Sequence, residues 1–156
     1  MKVVTVDQMV GLEQAAVRHG VSLDTLMENA GLAVAEAVRN ELGGAAGKRV
    51  LVLVGPGNNG ADGLVAARHL SRWGANATAY LVSNRPNSDP KMEPAVDYGV
   101  TVTGVARDPE LAALDQLMGR CPLVIDAILG TVHSLPLSGP VKSPMSRLAP
   151  CLLPSH

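Results

Sequence analysis

Phenylalanine is absent from the 156-residue chain, and its only aromatics are Trp73, Tyr80 and Tyr98. A protein so poor in flat side chains cannot offer the rows of aromatics on which single-stranded nucleic acids stack. Its core must come from Val, Leu, Ala and Met. No sign of charge dominates: 13 Lys and Arg stand against 14 Asp and Glu. Without a basic cluster, no nucleic-acid partner is expected. No apolar run reaches membrane-spanning length, so no membrane contact is expected. Met1-Lys2-Val3-Val4-Thr5-Val6 lacks the apolar core of a signal peptide, which predicts a cytoplasmic protein. Cys121 and Cys151 have neither metal spacing nor a disulfide framework and are read as unpaired thiols.

What is present suits one domain with a single core. Thr5 and Gln8 fit a capping box opening a helix that runs to about His19 and stops at Gly20. Ser22 can cap a second helix, in which Leu26, Ala30, Val34 and Ala37 keep helical spacing until Gly43-Gly44. Arg49–Val54 is a β-branched apolar run suited to a strand buried on both faces. A helix over Asp62–Trp73 is predicted next, then a strand over Ala77–Val82, a turn-rich loop to Pro90, a short helix over Lys91–Tyr98 and a weaker strand over Val100–Val105. Asp108-Pro109 is placed to start another helix, with Pro109 in its first turn, and Leu123–Leu129 reads as a buried strand. Alternating strands and helices imply an α/β fold, a Rossmann-like three-layer α/β/α with a mostly parallel sheet and two leading helices.

Between the first strand and its helix lies Gly55-Pro-Gly-Asn-Asn-Gly-Ala-Asp-Gly63. In open parallel sheets, ligands bind beyond the carboxyl ends of the strands, and a helix N-terminus there favours an anion such as phosphate. The string contains a G-x-G-x-x-G, which alone is a weak dinucleotide signal. No acid follows the next strand to hold ribose hydroxyls, although Arg85 could hold a phosphate in an NADP-type fold. The pair Asn58-Asn59 points elsewhere. Two amide oxygens can bind a hard cation or hydrogen-bond a sugar or amide. Asp62 could accept from hydroxyls or cap the helix, and the two asparagines could merely turn the chain in left-handed conformations.

Asp126 ends the last clear strand among Leu123, Val124, Ile125 and Ala127. A carboxylate buried there would need a partner, a cation or a raised pKa, and such tuning serves a general acid or base. The alternative is a carboxylate capping the following loop. Both strands should end on one edge of the sheet.

Leu26-Met-Glu-Asn-Ala-Gly31, VGPGNNGADGLVAARHL over Val54–Leu70, VIDAILGT over Val124–Thr131 and PLSGPV over Pro136–Val141 resemble the NAD(P)H-hydrate epimerases, or YjeF N-terminal domains. The likeness covers nearly all of residues 1–141, in the family's order, so that residues 1–141 are read as this domain, incomplete, and 142–156 as an atypical tail. It implies a Rossmann-like fold and an isomerase that interconverts the R and S forms of NADH or NADPH hydrated at C6 of the nicotinamide, for nucleotide repair. It also implies a bound potassium ion. Asn58, Asn59, Gly60, Ala61 and Asp62 match the substrate-binding stretch, and Gly130, Thr131, Val132, His133, Ser134, Leu135 and Pro136 match a second substrate loop. Asn59 and Asp126 match the potassium ligands, and Asp126 is the candidate catalytic acid/base.

Ala61 replaces a second glycine, which is mild if its φ is negative. Val132 replaces the last glycine of a G-T-G, where a β-branched residue tolerates positive φ poorly. No D-I-P-S-G-like motif follows in 142–156, which predicts an incomplete site and an unpaired sheet edge. The competing readings are a non-catalytic dinucleotide-binding remnant or interaction module and an NADP-dependent oxidoreductase. Arg68 is expected on a solvated helix face, the methionines as gap-fillers and the leading helices as a homodimer surface. Dehydration of the product is expected from a separate dehydratase.

Overall fold

The computed structural model describes residues 11, 14–86 and 88–130. Residues 14–18 are helical, and Gly20 stops them at a φ of 88°. Helix α1 (Leu23–Glu41) follows, with Ser22 Oγ accepting from the Thr25 amide at 3.0 Å as the expected N-cap. Gly43 and Gly44, both at positive φ, end it. Then come β1 (Arg49–Val54), α2 (Asn58–Arg72), β2 (Asn76–Leu81), α3 (Met92–Asp97), β3 (Thr101–Gly104), a 3₁₀ turn over Val105–Arg107, α4 (Ala112–Arg120) and β4 (Leu123–Ala127).

The four strands lie in the order β3-β2-β1-β4, and every pairing is parallel. All their carboxyl ends therefore share one edge. Among the described residues, β4 pairs only with β1. β1 is central, and Val50 through Val54 are fully buried, as its unbroken apolar run requires. Alternation along β1 separates two cores. Val50, Val52 and Val54 join Leu64, Leu70, Ala35 and Ala95 on the face covered by α1, α2 and α3. Leu51 and Leu53 join Tyr80, Leu114 and Ile128 on the face covered by α4. Tyr80 is the largest fully buried side chain, so one aromatic does the filling that phenylalanines do elsewhere. Its hydroxyl donates to Asp108 Oδ2 at 2.9 Å, which removes the cost of burying it.

Two helices start several residues away from where they were expected. The helix expected from Asp62 begins at Asn58, because Gly57 takes the N-cap position with extended backbone. Asp62 is thus inside the helix and is not its cap. The helix expected at Pro109 begins at Ala112. Asp108 accepts from the Ala113 amide at 3.1 Å and from the Leu114 amide at 3.0 Å, and so caps α4 from a distance. The turn between them holds Leu111 in the left-handed region. No described helix is long and apolar enough to cross a membrane.

Candidate functional site

Close backbone approach explains the glycines of the loop after β1. A Cβ on Gly55 would stand 1.8 Å from the Ile128 carbonyl oxygen, and one on Gly60 would stand 2.1 Å from the Gly55 oxygen. On Gly63 it would meet the Ala127 Cβ at 2.6 Å. The start of α2 is thereby pressed against the end of β4. The Gly55 amide donates to the Ala127 carbonyl at 3.0 Å, and Asn59 Nδ2 donates to the Leu129 carbonyl at 3.0 Å. The loops after β1 and β4 form one surface, as the shared sheet edge predicted.

No side chain caps α2, and its first turn carries no acid. Its leading amides and the positive end of the helix dipole suit an anion. Asn58 and Asn59 are helical and not left-handed, since Leu111 is the only described non-glycine at positive φ. Ala61 accordingly has a negative φ and is buried, so the methyl group in place of a glycine hydrogen is accommodated.

Asp126 departs from the buried carboxylate expected of it. It is exposed, while its neighbours Ile125 and Ala127 are buried. β4 is flanked by one strand only among the described residues, and Asp126 points to the face opposite the α2 core, so its side chain reaches solvent. Asp126 Oδ1 accepts from the Ile128 amide at 3.1 Å, which is the loop-capping geometry. Gly130 follows, exposed, with the site where its Cβ would be 3.7 Å from the Asn59 Cβ. Asn59 and Gly130 thus meet beyond the carboxyl ends of β1 and β4, with Asn58, Gly60, Ala61 and Asp62 in the first turns of α2 and Asp126 near the end of β4. Thr131 to Pro136 and the tail 142–156 lie outside the described residues.

Arg85 is not a free phosphate ligand. Only 5% of its side chain is exposed, and it is spent inward. Nη1 donates to the Gly55 and Gly57 carbonyls, while Nε and Nη2 donate to Asp89. Arg85 thus braces the glycine loop from beneath, and the phosphate-reading arginine of an NADP-type dehydrogenase is not available. Arg68 is likewise half-buried and not solvated. It pairs with Glu28, which also accepts from Lys91 Nζ at 2.9 Å, and Lys91 donates to Asp24 at 2.6 Å. Burial opposes charge on Glu28, but hydrogen bonds from Arg68 and Lys91 outweigh it and hold the carboxyl below its ordinary pKa. This network locks α1 onto α2 and the segment before α3. Sequence reading missed both roles. The signal was a basic residue next to a proline-rich turn, which says nothing about what lies opposite it.

The family model for the YjeF-related protein N-terminus matches residues 23–152. The chain belongs to this YjeF N-terminal family. Its fold is the α/β arrangement expected of that family. The chain is 38% identical over 154 residues to a bifunctional NAD(P)H-hydrate repair enzyme of Thermanaerovibrio acidaminovorans, covering 96% of this chain and 28% of that protein. It is 38% identical over 135 residues to an NAD(P)H-hydrate epimerase of Ajellomyces capsulatus, covering 86% of this chain and 54% of that one. The chain therefore spans about half of one relative and little more than a quarter of the other. It also superposes on the crystal structure of the yeast protein ynu0 with a TM-score of 0.78 at 30% identity, covering 96% of this chain and 65% of that chain.

Proposed function

We propose that this chain interconverts the R and S forms of hydrated NADH and NADPH, as an isomerase in nicotinamide nucleotide repair. The observation that carries the reading is the corner itself. An uncapped helix N-terminus suited to the pyrophosphate, the Asn59 amide and the Asp126 carboxylate stand at the carboxyl ends of adjacent strands. The names of the relatives point the same way.

In this reading, the α2 amides orient the dinucleotide and Asp126 serves the reacting carbon. The ring-nitrogen lone pair expels the C6 hydroxyl, which takes a proton from the Asp126 carboxyl and leaves as water. Water then adds to either face of the planar iminium and returns one proton to Asp126. No atom or electron is gained or lost over the cycle. Asn59 and Asp126 would hold the potassium ion. Asn59 Oδ1 and the Asp126 carboxylate are hard oxygen donors, the ligand class a potassium ion takes in place of its water shell. Such an ion supplies fixed positive charge beside the reacting ring. The proposal includes a homodimer, a cytoplasmic location and a separate dehydratase that consumes the S form.

The test is to mix the protein with the separated R form of hydrated NADH and potassium, and to follow the S form. Acceleration above the spontaneous rate is expected, with loss of it in Asp126→Ala. A folded protein that binds the dinucleotide but gives no acceleration would support the non-catalytic binding module instead.

A further inference from the structure

A cavity of about 280 Å³ opens beyond the carboxyl ends of β2 and β3, away from the Asn59–Asp126 corner. Its walls are apolar, from Leu81, Met92 and Val102, and Thr103 adds a hydroxyl. Ser83 lines it too. That residue is only 6% exposed, and its buried Oγ has no hydrogen-bond partner among the described residues. A buried hydroxyl left unmatched costs free energy unless a ligand or water completes it. Arg85 joins the two places, because it lines the cavity and holds the Gly55 and Gly57 carbonyls.

We propose that this cavity receives the adenosine end of the dinucleotide, with Ser83 Oγ as its buried polar anchor. The inference rests on the function proposed above and extends that site. Three observations select this occupant. The volume is at the floor of the range for ligand pockets, enough for a base and its ribose but not for a whole dinucleotide. No carboxylate lines the cavity, and with Arg85 spent inward its available charge is the exposed Arg107, so it suits a phosphate-bearing ligand and offers no acid to a reacting ring. The strand order supplies the span. The gap between β2 and β3 lies two and a half strand spacings from β4, with the α2 N-terminus between them. Each spacing is about 4.8 Å, which is a reach that an extended dinucleotide covers. A dinucleotide laid along the edge would place its reactive ring at Asp126, its pyrophosphate on α2 and its adenosine in the cavity.

The test titrates the isotope-labelled full chain with adenosine monophosphate and, separately, with nicotinamide mononucleotide, following amide signals by NMR. Adenosine monophosphate should shift Ser83, Thr103 and Val105, whereas nicotinamide mononucleotide should shift Asn59 and Asp126. Ser83→Ala should weaken adenosine monophosphate about tenfold. Ala106→Trp places a large ring from the exposed rim into the cavity and should abolish that binding. Neither change should alter nicotinamide mononucleotide affinity. Shifts from adenosine monophosphate at the Asp126 corner alone, unchanged affinity in Ala106→Trp, or no binding at all would overturn the proposal. Because the readout needs no turnover, adenosine binding in the cavity of a protein without epimerase activity would refute the function and leave the cavity standing.

Discussion

Asn59 Nδ2 donates to the carbonyl of Leu129 at 3.0 Å, across 70 residues of sequence. This bond joins the loop after the central strand to the loop after β4. Asn59→Ala should cost about 1 kcal/mol of stability for the lost bond. It should also lower kcat/KM for epimerisation at least tenfold, because the two loops lose their register and one proposed cation ligand goes. Chemical denaturation and initial-rate kinetics on the same preparation check both. Unchanged kcat/KM would remove Asn59 from the site.

Gly60 and Ala61 should respond in opposite ways to a methyl group. Gly60→Ala would drive a Cβ to 2.1 Å from the Gly55 oxygen and 2.6 Å from Arg85 Nη1. Such overpacking against backbone should cost about 2 kcal/mol. Ala61→Gly removes a buried methyl inside α2 and leaves the loop in place. Its cost should be about 1 kcal/mol. Thermal melts of the two variants decide it.

Arg85→Met takes the cation from Asp89, whose side chain is only 10% exposed and keeps, among the described residues, just the Lys91 amide on Oδ1. Removing one partner of such a buried pair should cost about 3 kcal/mol. The glycine loop would lose its brace, and affinity for phosphorylated and unphosphorylated dinucleotide should fall equally. A selective loss for the 2′-phosphorylated form would show that Arg85 reads phosphate after all.

The cap on α4 predicts a pH dependence. Burial works against the Asp108 carboxylate, yet the Ala113 and Leu114 amides and the Tyr80 hydroxyl hold its pKa below the ordinary 3.8. The unfolded chain thus takes up this proton first as pH falls. Asp108 stabilises the fold fully above its ordinary value, and that contribution is lost as pH falls from there through its lowered folded-state value. Asp108→Asn should cost about 1 kcal/mol at neutral pH and flatten the loss of stability as pH falls below the ordinary 3.8. Tm measured against pH in both proteins checks the difference.

Local pattern was enough to read the layered α/β architecture, the buried central strand, the cap at Ser22 and the position of the glycine loop. Each is written in neighbouring residues: an unbroken β-branched run, a serine three residues before a helix amide, glycines where a strand meets a helix. The largest shifts were at helix starts, as at Asn58 and Ala112, where the cap came from Gly57 or from distant Asp108, while β4 ended at Ala127 and not at Leu129. What the polar side chains do emerged only from the folded chain. Arg85 looked like a phosphate ligand and turned inward, Arg68 looked solvated and found Glu28, and Asp126 looked buried and proved exposed at β4. The cavity holding Ser83 leaves no trace in the sequence, because its walls come from β2, β3, α3 and the loops between them. Periodicity reports which face of an element is apolar. The partner of a charge or a hydroxyl depends on which segment folds against it, and that is set by contacts between residues tens of positions apart.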